Sequence, residues 1–147
     1  DQVEGLVVVR DLARRLAERF WPGALTLVLA DPSGIFPAGV RSASGSVAVR
    51  VSPHPFVRAL LEAYGAPLTS TSANVPGGPP ARSGADAFAA AVALGAGPEV
   101  LVVDVGTLPP SRPSTIVDFT GPEPRIVREG TIPGGRLRCA LPELNGR

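Results

Sequence analysis

Apolar positions along this chain fall into short runs separated by Pro, Gly and Ser, and their spacing switches between strand and helix periods. Gly5 to Val9 is Val-rich and reads as a buried strand or the end of one. Leu12, Leu16 and Phe20 recur at helical spacing behind Asp11, with Arg14, Arg15 and Arg19 mostly off that stripe. The pattern predicts a helix capped by Asp11 with a solvated arginine face. Trp21-Pro22-Gly23 stops it, and Ala24 to Ala30 predicts a second strand. Asp31 to Gly45 is rich in Gly, Pro and Ser and reads as a mobile loop. Ser46 to Val51 alternates little, which predicts a strand buried on both faces.

Ser52-Pro53-His54-Pro55 predicts a helix start, with the helix running to about Tyr64 and closed by Gly65. Pro67 to Ser70 reads as a strand. Ser83 is placed to cap an Ala-rich helix carrying Phe88, Val92 and Leu94, ended by Gly95 and Gly97. Val100 to Val105 predicts a strong central strand, and Thr115 to Phe119 and Arg125 to Arg128 predict two more. Residues 131–147, rich in Gly and Pro, predict a flexible tail behind a domain of residues 1–130. Strands alternate with helices early and follow one another late. The fold class is therefore α/β, a mixed twisted sheet with parallel strands inside, antiparallel ones toward an edge, and flanking helices.

Composition narrows the function classes. The 147 residues suit one domain with a real core, and 44% hydrophobic content argues for a folded body. No apolar stretch reaches transmembrane length, and the N-terminus lacks a signal-peptide layout. A lone cysteine, Cys139, cannot form an internal disulfide; this favours a reducing cytoplasm, and Cys139 reads as an ordinary small apolar residue. All 14 basic residues are arginine, an excess that a biased genomic base composition would also produce. A lysine Schiff base and a P-loop lysine are excluded within the chain, whereas bidentate recognition of phosphate and carboxylate remains open. The sequence pI of about 8.2 falls short of a dedicated nucleic-acid domain. Metal-ligand spacing and a Gly-x-Gly-x-x-Gly helix start are both absent from the sequence.

The stretch Pro67 to Pro80 carries the most chemistry. A short apolar run drops into Thr69, Ser70, Thr71, Ser72 and Asn74, and a Pro/Gly cluster then turns the chain. A buried strand cannot spend so many hydrogen-bonding positions on itself, since each hydroxyl out of water needs a partner. Two readings stand on residue types alone: a turn that caps its own backbone, or short-armed donors and acceptors at a pocket mouth. His54 reads more readily as a helix-start residue packed between prolines than as a general base, Asp104 and Asp118 as turn caps than as metal ligands, and Trp21 as a core anchor than as a base-stacking platform.

Five pieces, in order, resemble the threonylcarbamoyl-AMP synthase family, also called the YrdC-like domain. They are Phe20-Trp21-Pro22-Gly23-Ala24-Leu25-Thr26-Leu27-Val28-Leu29; Val47-Ala48-Val49-Arg50-Val51 with His54-Pro55; Ser70-Thr71-Ser72-Ala73-Asn74 with Gly77; Ser114-Thr115-Ile116-Val117-Asp118; and Pro124-Arg125-Ile126-Val127-Arg128-Glu129-Gly130. Together they cover most of the chain. The resemblance implies a YrdC-like fold and a reaction that joins L-threonine, bicarbonate and ATP into threonylcarbamoyl-AMP and pyrophosphate, with Mg2+ on the phosphates. It also implies service to tRNA N6-threonylcarbamoyladenosine modification in the cytoplasm, beside transferase proteins of that pathway, and affinity for tRNA or double-stranded RNA. Residue by residue, it implies that Arg50, Ser70 and Ser114 contact threonine and that Ser46, Ser72, Asn74 and Arg128 contact the nucleotide. No residue is implied as a covalent catalyst or as a metal ligand.

The chain departs from the family pattern in lacking the opening strand and turn and the Lys-x-Arg motif that grips triphosphate. Pro80 also stands where relatives often carry a small hydroxyl residue. The pattern is thus N-terminally incomplete, and the expectation is a truncated product or a fragment over a divergent stand-alone module, because the missing piece would supply central strands. An RNA-binding module using Arg125, Arg128, Arg136 and Arg138, and an inactive fragment, are the alternatives to synthesis.

Overall fold

Alternation in Leu25-Thr26-Leu27-Val28-Leu29-Ala30 puts three leucines on one face of β1 (Leu25–Ala30), and each is at most 1% exposed. The computed structural model describes residues 5–144. These divide into two compact units, residues 5–68 with 112–144, and residues 69–111.

The first unit is built on a four-stranded sheet. Besides β1 it contains β2 (Ser46–Val49), β3 (Thr115–Asp118) and β4 (Arg125–Arg128), in spatial order β2-β1-β3-β4. The central pair β1 and β3 is parallel, and each edge strand is antiparallel to its neighbour. The mixed α/β sheet expected from the alternation of elements is the one observed. Register sets Leu25 beside Thr115 and Leu27 beside both Val117 and Val49, so one face is apolar apart from the buried Thr115. Thr26, Val28, Ala48, Ile116 and Asp118 occupy the other.

The apolar face is covered by α1 (Asp11–Phe20) and by residues near the C-terminus. Ala13 and Leu16 are fully buried on α1, Leu12 and Phe20 pack against the core, and Arg14, Arg15 and Arg19 are exposed as the stripe predicted. Asp11 is not the cap: Arg10 holds that position without a side-chain bond, and Asp11 stands in the first turn, where its charge suits the helix dipole. Residues 131–144 are not a loose tail. Gly134–Ala140 forms α4, a short 3-10 turn follows at Pro142–Leu144, and Leu137, Leu141 and Leu144 are at most 1% exposed. Three leucines at spacings of four and three supply an apolar stripe that outweighs the Gly and Pro content. Residues 145–147 of the expected tail lie outside the described residues.

Other expectations are corrected by pairing. Gly5 to Val9 contributes only an isolated bridge, Val8 to Ala30. Strand β2 stops at Val49, and its Ala48 is exposed, because an edge strand with one open face cannot be buried on both sides. The loop 31–45 is pinned, not loose: buried Asp31 accepts the Ile35 and Phe36 amides and lies 3.1 Å from Arg41 Nε, while Arg41 Nη2 donates to the Asp31 carbonyl. Helix α2 (Pro55–Tyr64) begins behind His54 and is closed by left-handed Gly65, as read, but buries none of its residues.

The second unit contains α3 (Gly84–Ala93), whose cap Ser83 accepts the Asp86 amide at 3.1 Å. Arg82 holds the Leu108 carbonyl through Nε and Nη2 at 2.9 and 2.8 Å. Neither Pro67 to Ser70 nor Val100 to Val105 forms a strand among the described residues, and Leu101 is 87% exposed. β-branched residues favour extended backbone, but a strand exists only through its ladder, and no described segment pairs with this run.

Two measurements check this packing. Leu137→Ala should cost about 3 kcal/mol in urea unfolding, the range for a buried leucine, where a tail residue would cost almost nothing. Asp118 gives a pH signature. Burial alone would raise its carboxyl, but the Thr120 hydroxyl and amide and the Arg125 guanidinium hold it below the ordinary value. A depressed folded pKa stabilises above the unfolded value and loses that contribution as pH falls through the folded one. Asp118→Asn should therefore be less stable than the parent by about 1–2 kcal/mol at neutral pH, with the gap closing below about pH 4.

Candidate functional site

The strand directions bring four chain segments to one end of the sheet. β1 and β3 begin there, while β2 and β4, antiparallel to them, finish there. Gly23, Arg50, Ser114 and Arg128 are consequently neighbours in the fold. Two bonds tie the segments: the Gly23 amide donates to Val51 O at 2.9 Å and the Thr115 amide to Ala24 O at 3.0 Å.

Ser114 is held in place by the residue after it. The Thr115 hydroxyl, fully buried, donates to Ile132 O at 2.7 Å and accepts the Gly130 and Ile132 amides at 2.9 and 3.1 Å. The Thr131 amide meets Pro113 O at 2.9 Å. Gly130 has to be glycine here, since a Cβ would overlap the Pro113 and Ser114 backbone. Segment 113–115 is thereby clamped between β1 and the 130–132 crossing.

On that clamp the half-buried Ser114 shares a hydrogen bond with Thr26, Oγ to Oγ1 at 2.8 Å, in which either hydroxyl can donate. Arg128 reaches back from the end of β4 and grips the Ser114 carbonyl with Nε and Nη2 at 3.2 and 2.9 Å. Its Nη2 also stands 3.3 Å from Ser114 Oγ. Thr26, Ser114 and Arg128 form a continuous polar cluster at the sheet end. Arg50, just past β2, donates through Nε to Gly23 O at 2.8 Å and is otherwise exposed. From β2 to β3 the spacing is two strand widths, roughly 10 Å, with β1 between them.

The remaining residues that the resemblance named stand elsewhere. Ser46 begins β2 opposite Ala30, at the far end of the sheet from Arg50, and its hydroxyl bonds Ser42 Oγ at 2.8 Å. Ser70, Ser72 and Asn74 belong to the second unit. Ser70 and Ser72 are exposed there. The Asn74 amide donates to Val75 O and Gly78 O, both at 2.9 Å, so this side chain shapes its own turn, and its buried Oδ1 has no hydrogen-bond partner. Of the two readings of the Ser/Thr-rich stretch, the turn that bonds its own backbone is the one seen, at Thr71 and Asn74.

Thr26 is the site residue that motif reading missed. Its signal was a lone hydroxyl in the apolar strand Leu25 to Leu29, where a threonine at 9% exposure requires a partner. Trp21 packs against the core and donates its indole N–H to Leu25 O at 2.7 Å, so it anchors the entry to β1. Asp118 and Asp104 cap turns, accepting the Thr120 and Gly106 amides. Among the described residues, no three His, Cys, Asp or Glu side chains gather as a metal site, and no helix is long and apolar enough to cross a membrane.

Comparison with known proteins bears on the fold and the family. The family model of the Sua5, YciO and YrdC proteins, described as "Telomere recombination", matches residues 1–130. A putative threonylcarbamoyl-AMP synthase of Mycobacterium tuberculosis is 40% identical over 141 residues, spanning 95% of this chain and 62% of its own length. The threonylcarbamoyl-AMP synthase of Chromohalobacter salexigens is 42% identical over 125 residues, 84% of this chain and 64% of its own. Among solved structures, P. abyssi Sua5 complexed with L-threonine superposes with a TM-score of 0.83 at 29% identity, covering 97% of this chain and 41% of that one. E. coli YciO gives 0.71 at 27% identity, covering 88% and 61%. The chain spans less than two thirds of the length of these relatives. With the model match running through four strands and their clamp, the chain belongs to the Sua5, YciO and YrdC family.

Proposed function

We propose that this chain acts in threonylcarbamoyl-AMP synthesis, joining L-threonine, bicarbonate and ATP with release of pyrophosphate. One observation carries the reading: Arg50 and the Ser114–Arg128 pair stand at the same sheet end, where the parallel pair β1 and β3 begins and the antiparallel edge strands β2 and β4 finish. Support comes from curated relatives named as synthases and from a solved Sua5 with L-threonine.

In this reading the Arg50 fork, free on its Nη side, receives the threonine carboxylate. The Ser114 hydroxyl takes a second oxygen of the amino acid; Ser70, in the second unit, is given to threonine by the resemblance alone. Arg128 serves the nucleotide; Ser72 and Asn74, in the second unit, and Ser46, at the opposite sheet end, are given to it by the resemblance alone. Rate enhancement comes from holding the carbamate of threonine against the α-phosphate and from arginine charge on the developing negative oxygens. Mg2+, when bound on the ATP phosphates, would neutralise part of their charge. The product would serve tRNA N6-threonylcarbamoyladenosine formation by transferase partners in the cytoplasm, with tRNA as the eventual acceptor.

The test is pyrophosphate release that requires all three substrates together; its absence removes the proposal. Within an active protein, Arg50→Ala should raise the KM for threonine by about 10- to 100-fold, the worth of a charge-assisted contact, with the KM for ATP unchanged. An unchanged KM for threonine would overturn the Arg50 assignment.

A further inference from the structure

We infer that Thr26 is a positioning residue that makes Ser114 an obligatory hydrogen-bond donor toward a ligand carboxylate, an inference resting on the threonine reading above. A serine hydroxyl has one proton and two acceptor lone pairs. Arg128 Nη2 can only donate, so at 3.3 Å it occupies one lone pair of Ser114 Oγ. Thr26 Oγ1, at 2.8 Å, occupies the other when it donates. With both lone pairs taken, the single Ser114 proton has one use left, which is to point outward at an acceptor. An anionic oxygen selects that state, because Thr26 must then donate inward and Ser114 outward.

Burial gives this relay its direction. Thr26 is 9% exposed, on a central strand hydrogen-bonded on both sides, and cannot itself meet a ligand freely. Ser114 is half-buried and its backbone is immobilised by the Thr115 clamp and the Arg128 fork. Its side-chain rotation is the remaining freedom, and Thr26 is the group in reach to fix it. The ligand class follows: small molecules presenting a carboxylate, read by Ser114 as donor, and not by a hydroxyl free to switch roles.

The experiment uses the whole chain and two readouts. Nuclear magnetic resonance couplings across the Ser114 Cα–Cβ bond report its rotamer without any ligand, and calorimetric titration with L-threonine reports affinity. Thr26→Val, nearly isosteric and without a hydroxyl, should leave Ser114 averaging among rotamers and weaken L-threonine by about tenfold, one hydrogen bond to a charged group. Thr26→Ser should restore both. Thr26→Val combined with Ser114→Ala should bind no more weakly than Ser114→Ala alone, since Thr26 acts through that hydroxyl. A fixed Ser114 rotamer in Thr26→Val, or additive losses in the double variant, would overturn the inference. Loss of L-threonine binding in the parent, with the rotamer still answering to Thr26, would strike the substrate reading and leave the positioning role standing.

Discussion

Parallel pairing between β1 and β3 joins residues that the chain keeps 88 positions apart, and everything at the sheet end follows from it. Closing so long a connection costs conformational entropy before any contact is made. Leu25, Leu27 and Val117 meet that cost by burying a continuous apolar face against α1 and α4. The same register then sets Thr26 and Ser114 within hydrogen-bond reach on the opposite face, so core packing and site geometry are two faces of one pairing.

Thr115 converts that pairing into rigidity. Its hydroxyl is the sort of group that costs stability when buried alone, yet here it serves three backbone partners from the 130–132 crossing. The glycine at 130 permits the approach, and the chain after it turns into α4 and the core. A segment that looked dispensable is therefore what seats the neighbouring serine. Edge position matters in the same way. Arg50 and Arg128 sit where β2 and β4 run out, because a long cation can keep its head in water at an edge but not in a central strand.

The two units differ in how far their sequence is satisfied. In the first, the apolar residues of α1, β1, β3 and α4 find partners in one core, while α2 leaves Phe56 and Leu60 exposed. In the second, Phe88, Val92, Leu101 and Val105 stay exposed, and a run with every local feature of a core strand has no ladder. Propensity and pairing are separate quantities, and Val100 to Val105 shows one without the other.

Much was legible from residues alone. Helices α1 to α3, the strands at 24–30, 115–119 and 125–128, the caps at Ser83 and Gly65, and the mixed sheet all follow from period and from Gly, Pro and Ser placement. These depend on neighbours within a few positions, which the chain itself supplies. The resemblance named Arg50, Ser114 and Arg128; it did not name Thr26, whose role exists only once β1 lies beside β3. Likewise the ordering of loop 31–45 by Asp31, the burial of Leu137 and Leu144, and the isolation of Val100 to Val105 were decided by tertiary structure. Local sequence determines which conformations a segment prefers; whether a hydroxyl, a leucine or a strand edge is satisfied depends on what the fold sets across from it, and that partner is distant in the chain.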